Sequence, residues 1–450
     1  MGTLILSFLS AMAMVVSVAG ADWRQEQLPA VQIERQDPSA GNVALAQNQA
    51  RAGTKHDVAG RALRHEPQPA VVRTGAQKLA EDGFKLLAGK RVGLITNHTA
   101  VSNGRHTADL LAKAPNVKLV ALFAPEHGIR GDRGGSIENQ TDSATGLPIY
   151  SLYGATRKPT AEMLKGIDVL VYEIQDIGPR FYTYISTLGM AMEAAAEHGL
   201  SFVVLDRPNP LGGELVEGFV REPEFKSFIA YYPIPVTHGM TIGELALMAK
   251  GEKWLEGAEN LDLHVVKMED WHRNMLWPDT KLEFIRTSPN IPDFETALIY
   301  PGACFWERVA GSTGRGTPQP FIQVGAEWAD GKAIAEDLNS RHLPGLRFEE
   351  ATFTPTGRDP VRTYHGIRHV VTDARVVQPV AGGMHVLQAF YKQSVAKGNV
   401  EFLRPMASHA GTNRLNEMLT KGASAEEIIA SWGDELRKYD QMRRRYFLYD

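Results

Sequence analysis

The chain has 450 residues, more than one hydrophobic core usually organises, so the length predicts two domains of ordinary size once any leader is removed. Hydrophobic residues make up 43% and charged residues 22%, which excludes a wholly disordered, collagenous or membrane-embedded chain. The 48 Lys and Arg residues against 52 Asp and Glu residues leave a net charge of −4, which provides no general field for nucleic acid or anionic lipid. Recognition of an anion must therefore be local, and nucleic acid is not an expected partner.

The first 74 residues read as an export leader and a linker. Residues 4–18 are almost continuously apolar and precede Ala19-Gly20-Ala21, a small-x-small pattern typical of signal cleavage, so residues 1–21 are predicted to be a signal peptide. The protein is then expected to be exported, periplasmic or secreted, and bound to a membrane only if the leader stays uncut. Residues 22–74 are rich in Gln, Ala, Pro, Arg and Glu, which predicts a disordered linker.

From residue 75 onward, short apolar runs alternate with segments that favour helix. The runs lie at 91–96, 117–123, 169–173, 202–206 and 261–267. The helical segments lie at 107–112, 161–165 and 187–198, and at 241–250, where Thr241 and Glu244 form a capping-box pattern. This alternation predicts βαβ units and a parallel sheet over residues 75–288, an α/β fold.

After residue 288 the sequence changes to loops rich in Pro and Gly. Residues 361–377 then have β character, and residues 425–438 favour a C-terminal helix. We therefore predict a second, smaller α+β domain over residues 289–450. Three of its loops carry enough Gly or Pro to let backbone approach a ligand, at 290–292, 301–302 and 311–317.

Polar clusters follow the strand-like runs, at the edge where open α/β sheets place their ligand crevice. The side chains in these clusters that are candidates for substrate binding are Asn97, His127, Arg130, Glu173, Asp206, Arg207 and Asn209. His238 precedes a helix start, and Glu307 and Arg315 are candidate contributions from the second domain. For Asp206–Asn209 turn building is an equally good interpretation, and a lone histidine such as His238 is more often structural.

Glu126 is the leading candidate for chemistry. It follows an apolar run directly, in a turn that contains Gly128 and Gly131. A partly desolvated carboxyl there can act as a general acid, as one carboxyl does in glycoside hydrolysis. The alternative is a glutamate that only holds its loop by an ion pair with Arg130 or Arg133.

The segment 172–184 concentrates charged and aromatic residues where a strand ends. Asp176 is a candidate second acid or base, and Arg180 can hold a substrate carboxylate. Tyr182 and Tyr184 can stack on a sugar or stabilise a cationic transition state. The alternative is an Asp176–Arg180 ion pair with both tyrosines packed in a domain interface.

Several functional signals are missing from the sequence. It contains no dinucleotide or Walker-type loop, no Gly-x-Ser-x-Gly elbow and no His-Glu-x-x-His motif. The single cysteine, Cys304, excludes an intramolecular disulfide and thiolate metal clusters, and no other ligand spacing demands a metal. No metal, nucleotide or other cofactor is therefore expected.

Taken together, these motifs resemble those of the NamZ-type exo-β-N-acetylmuramidases, a family first catalogued as a domain of unknown function. The resemblance covers residues 75–450 and depends on 96–99 (TNHT), 124–131 (APEHGIRG), 172–184 (YEIQDIGPRFYTY), 206–210 (DRPNP) and 237–239 (THG). It implies a Rossmann-like N-terminal domain without a dinucleotide, a smaller C-terminal domain and an active site between them. It also implies release of N-acetylmuramic acid from the non-reducing ends of peptidoglycan fragments.

Matched motif to motif, the resemblance suggests roles for individual residues. Glu126 becomes the catalytic acid, Tyr182 or Tyr184 assists it, and Arg180 meets the lactyl carboxylate of muramate. Asp176 is either a second catalytic group or orients the substrate's N-acetyl group, and the choice between retention and inversion stays open. A periplasmic protein that binds muropeptides or amino sugars without catalysis is the alternative function. An esterase or amidase is disfavoured by the missing nucleophile motif.

Overall fold

A computed structural model of the chain describes residues 70–126, 128–130, 140–357, 360–399 and 401–450. The predicted leader and most of the predicted linker lie outside these residues. Residues 70–74, at the end of the predicted linker, pack on the folded part: Val72 is buried and Thr74 caps the first helix. Among the described residues, no helix combines the length and the apolar character that crossing a membrane requires.

The first half of the described chain forms a seven-stranded, mostly parallel sheet. The strands are β1 (Arg91–Thr96), β2 (Val101–Ser102), β3 (Arg105–His106), β4 (Lys118–Ala124), β5 (Gln140–Thr141), β6 (Pro148–Ser151), β7 (Val169–Glu173), β8 (Ser201–Leu205) and β9 (Leu263–Val266). The sheet order is β5-β6-β4-β1-β7-β8-β9, with β5 antiparallel to β6, while β2 and β3 form a separate small hairpin. The five strand-like runs of the sequence are β4, β1, β7, β8 and β9, which are consecutive neighbours in this order. The predicted parallel sheet is therefore confirmed.

Among the described residues, five helices cover this sheet, and all but α4 begin at a residue whose side chain caps the helix. They are α1 (Gly75–Glu81), α2 (Thr107–Lys113), α3 (Ala161–Leu164), α4 (Tyr184–Glu197) and α5 (Ile242–Gly251). The predicted capping box is present: the Thr241 hydroxyl accepts from the Glu244 backbone N–H, and the Glu244 carboxylate accepts from the Thr241 N–H. Local sequence therefore sets where α5 begins.

The second half is α+β, as predicted. It contains α6 (Phe294–Ala303), β10 (Gln323–Ala326), α7 (Gly331–Ser340), β11 (Leu346–Phe353), β12 (Tyr364–Val371), α8 (Pro379–Ala396), α9 (Ala407–Ala410), α10 (Arg414–Thr420), α11 (Ala425–Ala430) and α12 (Gly433–Arg443). Strands β10, β12 and β11 form an antiparallel sheet in that order. The predicted C-terminal helix is two helices, α11 and α12, and between them Trp432 packs edge-on against Phe219 with ring centroids 5.3 Å apart.

The prediction of a loop at residues 301–302 is wrong, because both residues lie inside α6. Gly302 is needed there for close packing: a Cβ at this position would lie 2.0 Å from the Pro379 carbonyl oxygen at the start of α8. A Cβ on Gly383 of α8 would likewise lie 2.5 Å from the Gly302 Cα atom. The glycine therefore lets two helices approach each other and does not open a ligand site.

Two buried charged side chains join the two halves of the fold. The Glu217 carboxylate accepts hydrogen bonds from the backbone N–H groups of Val380 and Ala381, at 3.1 and 3.4 Å, and so caps the N-terminus of α8 from a distance. The Arg180 guanidinium is fully buried and donates to the carbonyl oxygens of Phe219, Ile234 and His409 at 2.8, 2.5 and 2.7 Å.

Replacement of Glu217 by Gln is expected to remove a pH dependence of stability. Burial raises the pKa of the Glu217 carboxyl from 4.5 to about 7, although the two N–H donors oppose this shift. The folded state therefore binds the proton more tightly, and the stabilisation present below pH 4.5 is lost as the pH rises through about 7. Denaturant unfolding of both proteins should show the wild type losing roughly 3 kcal/mol relative to Glu217→Gln between these limits. Parallel pH profiles would contradict this assignment.

Arg180→Met is expected to destabilise the fold by about 3 kcal/mol or more, since the buried carbonyl groups of Phe219 and His409 lose this donor and that of Ile234 keeps only the Arg221 N–H. Urea unfolding of the purified variant measures this change. Arg91→Met is the matched control, because the Arg91–Asp168 ion pair is at the surface, with the two side chains 48% and 38% exposed, and should matter little. Equal stability of the two variants would show that the buried contacts of Arg180 do not hold the halves together.

Candidate active site

A cleft of about 140 Å³ opens where the carboxyl ends of the parallel strands meet the second half of the chain. Its lining residues are Glu126, Phe181, Tyr182, Thr183, Tyr184, Ser288, Asn290, Ile291, Tyr300, Arg315 and Phe321. Four of them, Glu126, Tyr182, Tyr184 and Arg315, are candidates from the sequence. The lining comes from residues on both sides of position 288, so neither half of the chain forms the cleft alone.

Glu126 lies two residues beyond the end of β4 and is half-buried. Its Oε2 accepts a hydrogen bond from the Thr183 hydroxyl at 3.3 Å, and the Tyr153 hydroxyl is a second hydrogen-bonding partner. Burial, and then the negative charge of Glu126, raise the pKa of Tyr153 to about 12. Tyr153 therefore stays a neutral hydroxyl at physiological pH and can donate to the carboxylate.

Tyr182 and Tyr184 form the aromatic wall of the cleft, with ring centroids 4.9 Å apart in an edge-to-face arrangement. The Tyr182 hydroxyl donates to the Thr287 hydroxyl, and the Tyr184 hydroxyl donates to the Thr287 carbonyl, both at 2.8 Å. Burial raises the pKa of both phenols above their ordinary value, so both stay neutral. Both side chains present apolar ring surface to the cleft, and their hydroxyls are fixed by hydrogen bonds. They are therefore not suited to transfer a proton in a reaction.

Sequence reasoning missed much of the remaining wall. The cleft residues it did not single out are Phe181, Thr183, Ser288, Tyr300 and Phe321, together with Tyr153 beside Glu126. The loop 290–292 was identified as a candidate and supplies Asn290 and Ile291 to the lining. Tyr300 lies within α6 and carries no local signal, since only the packing of that helix turns it toward the cleft.

Three strand-end candidates, Arg207, Glu173 and Asp206, make buried hydrogen bonds outside the lining. The Arg207 guanidinium donates to Glu173 at 2.7 Å and to the Gln175 side-chain oxygen at 2.9 Å. Asp206 accepts from the Tyr449 and Thr241 hydroxyls at 2.6 and 2.7 Å. Burial raises the pKa of Asp206 to about 6 against these hydrogen bonds. The equally weighted interpretation, that this motif builds the turn, matches these contacts.

Asn97 and Asn209 are also engaged locally. The Asn97 side-chain oxygen accepts from the Thr99 backbone N–H at 3.0 Å and from its hydroxyl. Asn209 donates to the Met240 carbonyl and accepts from the Leu211 N–H, both at 3.0 Å. Both asparagines are buried and shape the loops behind the cleft.

Asp176 and His238 face each other in the interior, with Oδ2 and Nε2 3.8 Å apart. Asp176 accepts from the Gly178 N–H at 2.7 Å, and His238 Nδ1 accepts from the Met240 N–H at 3.3 Å. Since Nδ1 is an acceptor, the ring proton belongs on Nε2, which points it toward Asp176. Neither residue lines the cleft.

The assignment of Arg180 to a substrate carboxylate is wrong. Its side chain is fully buried, and its donors are directed at three backbone carbonyl groups instead of the cleft. The proposed Asp176–Arg180 ion pair is also not formed, since Asp176 contacts Gly178 and His238. Burial of the guanidinium among carbonyl oxygens explains why the motif contains an arginine.

Arg130 forms ion pairs with Asp109 and Asp142, both at 3.0 Å. Its donors are thereby engaged by one carboxylate of α2 and one that directly follows β5. His127, the other candidate in that motif, lies outside the described residues.

The second half contributes one cation to the cleft lining, Arg315, and the carboxylate that pairs with it. Arg315 pairs with Glu307 at 2.5 Å, and Glu307 lies 3.4 Å from His409 Nε2. Burial disfavours the Glu307 carboxylate, but the His409 hydrogen bond and the charge of Arg315 outweigh it and lower its pKa. Cys304 completes a group in which one ligand atom each from Cys304, Glu307 and His409 lie within 4.8 Å of one another.

Comparison with known proteins matches both halves of the chain to one family. The family model described as "Exo-beta-N-acetylmuramidase NamZ, N-terminal" matches residues 92–295, and its C-terminal counterpart matches residues 298–449. The chain is 44% identical over 384 residues to the peptidoglycan beta-N-acetylmuramidase NamZ of Bacillus subtilis (strain 168), which covers 84% of this chain and 91% of that protein.

Two solved structures share the fold. A DUF1343 family protein from Bacteroides fragilis NCTC 9343 superposes with a TM-score of 0.79 at 40% identity, covering 85% of this chain and 100% of that chain. A second protein of that description and organism gives a TM-score of 0.70 at 30% identity, covering 85% and 99%. With both halves matched by family models and with relatives of this identity along most of its length, the chain belongs to the NamZ family of exo-β-N-acetylmuramidases.

Proposed function

We propose that the protein is an exo-acting glycoside hydrolase that releases N-acetylmuramic acid from the non-reducing ends of peptidoglycan fragments. The observation that carries this proposal is Glu126, a carboxyl group in a cleft with an aromatic wall. Family membership and the Bacillus subtilis relative, named as a peptidoglycan beta-N-acetylmuramidase, support the reaction and the substrate class.

In this reaction Glu126 donates a proton to the glycosidic oxygen as the bond to the sugar breaks. The hydroxyls of Tyr153 and Thr183 hydrogen-bond to the Glu126 carboxyl group and hold it at the cleft. The faces of Tyr182 and Tyr184 contact the apolar side of the sugar ring, and their anchored hydroxyls keep the rings in place. Water adds to the anomeric carbon, either directly or after the acetamido oxygen of the substrate has formed a cyclic intermediate, and its proton passes to the Glu126 carboxylate, which restores the acid.

We also propose that the protein is exported and acts on wall material in the periplasm or outside the cell. The apolar leader with its small-x-small end supports this location, and a peptidoglycan substrate agrees with it. Cell fractionation of the full chain tests the proposal, with N-terminal sequencing of the recovered protein. A mature protein that starts near residue 22 is the expected result, and a cytoplasmic protein that keeps Met1 would contradict it.

Glu126→Gln is expected to reduce kcat on 4-nitrophenyl β-N-acetylmuramide by roughly 10²- to 10⁴-fold, because the amide cannot supply the proton. The fold and ligand binding should persist, since Gln has the same size and keeps one oxygen for Thr183. The assay follows nitrophenol release and includes the matching N-acetylglucosaminide. Glu162→Gln, at an exposed glutamate of α3, is the matched control and should retain wild-type activity.

Two outcomes would count against the assignment. Wild-type turnover by the Glu126→Gln variant would show that Glu126 has no catalytic role. Tight binding of muropeptides by the wild type without any product would favour the alternative function, a receptor.

Tyr153→Phe is expected to lower kcat about 10-fold, the size expected for loss of one hydrogen bond to a charged group. The Tyr153 hydroxyl is a hydrogen-bonding partner of Glu126 and can stabilise the carboxylate that forms as Glu126 gives up its proton, whereas Phe cannot. The measurement is kcat for nitrophenol release from 4-nitrophenyl β-N-acetylmuramide. An unchanged kcat in the variant would show that the Tyr153 hydroxyl does not act on Glu126.

A further inference from the structure

We propose that Arg315 binds the lactyl carboxylate of muramic acid and thereby sets the preference for muramic acid over glucosamine, an inference that rests on the proposed function. The two sugars differ by the lactyl ether, whose carboxylate is an added negative charge. The chain carries a net charge of −4, so recognition of this group depends on a local cation and not on a general positive field. Among the described lining residues, Arg315 is the one cation.

A tightly folded loop presents Arg315 to the cleft. Its glycine neighbours, Gly314 and Gly316, have φ values of +70° and +83°, where other residues are strained. A Cβ on Gly314 would lie 2.8 Å from the Gln319 carbonyl oxygen, and one on Gly316 would lie 2.7 Å from that of Thr356. Backbone contacts on both sides therefore fix where the Arg315 side chain leaves the loop.

Phe321 packs against the arginine and closes the loop. Its backbone N–H donates to the Thr313 carbonyl at 2.6 Å, and its buried ring centroid lies 5.1 Å from the Arg315 guanidinium carbon. Phe321 itself has a φ of +63°, an uncommon value for a bulky residue. Such a conformation persists only where surrounding contacts determine it, and residues of this kind concentrate at ligand sites.

Glu307 orients the guanidinium without using all of its donors. One contact at 2.5 Å joins Nη2 of Arg315 to Oε1 of Glu307, which His409 supports from the other side at 3.4 Å. A guanidinium has five N–H donors in a planar fork, and the Arg315 side chain is still 43% exposed. The remaining donors match the planar, two-oxygen geometry of a carboxylate. Glu307 is thus a positioning residue, and Arg315 is the residue that touches the substrate.

The test is a cycle of two proteins and two substrates. Wild type and Arg315→Gln are each assayed on 4-nitrophenyl β-N-acetylmuramide and on the same glycoside with its lactyl carboxylate converted to the N-methylamide. The wild type should lose ~10- to 100-fold in kcat/KM on the amide, as expected for loss of a charge-assisted hydrogen bond. Arg315→Gln should hydrolyse both substrates equally, at the rate of the wild type on the amide. Arg315→Lys, which keeps the charge but loses the fork, should fall between them.

Arg157→Gln is the matched control. Arg157 is a neighbouring cation that lies 4.3 Å above the Phe228 ring and does not line the cleft, so this variant should keep the wild-type ratio between the two substrates. Glu307→Gln should lower that ratio through KM more than through kcat, since it frees Arg315 to move. A merely structural role of Arg315 would reduce turnover of both substrates by the same factor, and that result would overturn the proposal.

Failure of the proposed function gives a different result. If the wild type hydrolyses neither glycoside, calorimetry with free N-acetylmuramic acid and N-acetylglucosamine still tests the contact. Binding of the muramic acid alone, lost in Arg315→Gln, would support the assignment of Arg315 while removing the hydrolase activity. Equal binding of both sugars would overturn the assignment.

Discussion

The contacts of the buried Arg180 guanidinium position both walls of the cleft. Arg180 immediately precedes the residues 181–184, which supply one wall, and its donors hold the carbonyl groups of Phe219, Ile234 and His409. The His409 side chain contacts Glu307, which holds Arg315 on the other wall. Burial of this charge is costly without the hydrogen bonds that its two Nη atoms make, so the three segments that hold these carbonyl groups must keep their relative positions. Arg180 therefore acts on the site through its neighbours and not by touching a ligand.

The fold could be predicted from the sequence because its signals are local. Apolar runs marked β1, β4, β7, β8 and β9, and the capping box at Thr241 marked the start of α5. Gly302 shows where local reading fails. Pro and Gly in succession favour a loop, but here they lie in a helix whose backbone must approach α8. That requirement comes from a residue far along the chain, which no local pattern reports.

The site was predicted in part, for a related reason. The rule that ligands bind at the carboxyl ends of parallel strands brought Glu126, Tyr182 and Tyr184 into the set of candidates, and all three line the cleft. It does not say which strand-end side chains have partners inside the protein. Asp206 is engaged by Tyr449, more than two hundred residues away, and Glu173 by Arg207. Such pairings are properties of the tertiary structure, as is the position of Tyr300.

The charge on Arg315 is largely cancelled by Glu307, and this shapes how the cleft can recognise an anion. A neutralised pair attracts a distant carboxylate only weakly, and salt screens what attraction remains. Selectivity must then come from hydrogen bonds at contact distance, which depend steeply on geometry. A flexible loop would forfeit that geometry, whereas the loop from Ser312 to Phe321 is fixed by glycines in left-handed conformations and by Phe321 itself. The strained backbone and the paired cation thus serve the same end: they make recognition of an anion depend on its exact position in the cleft.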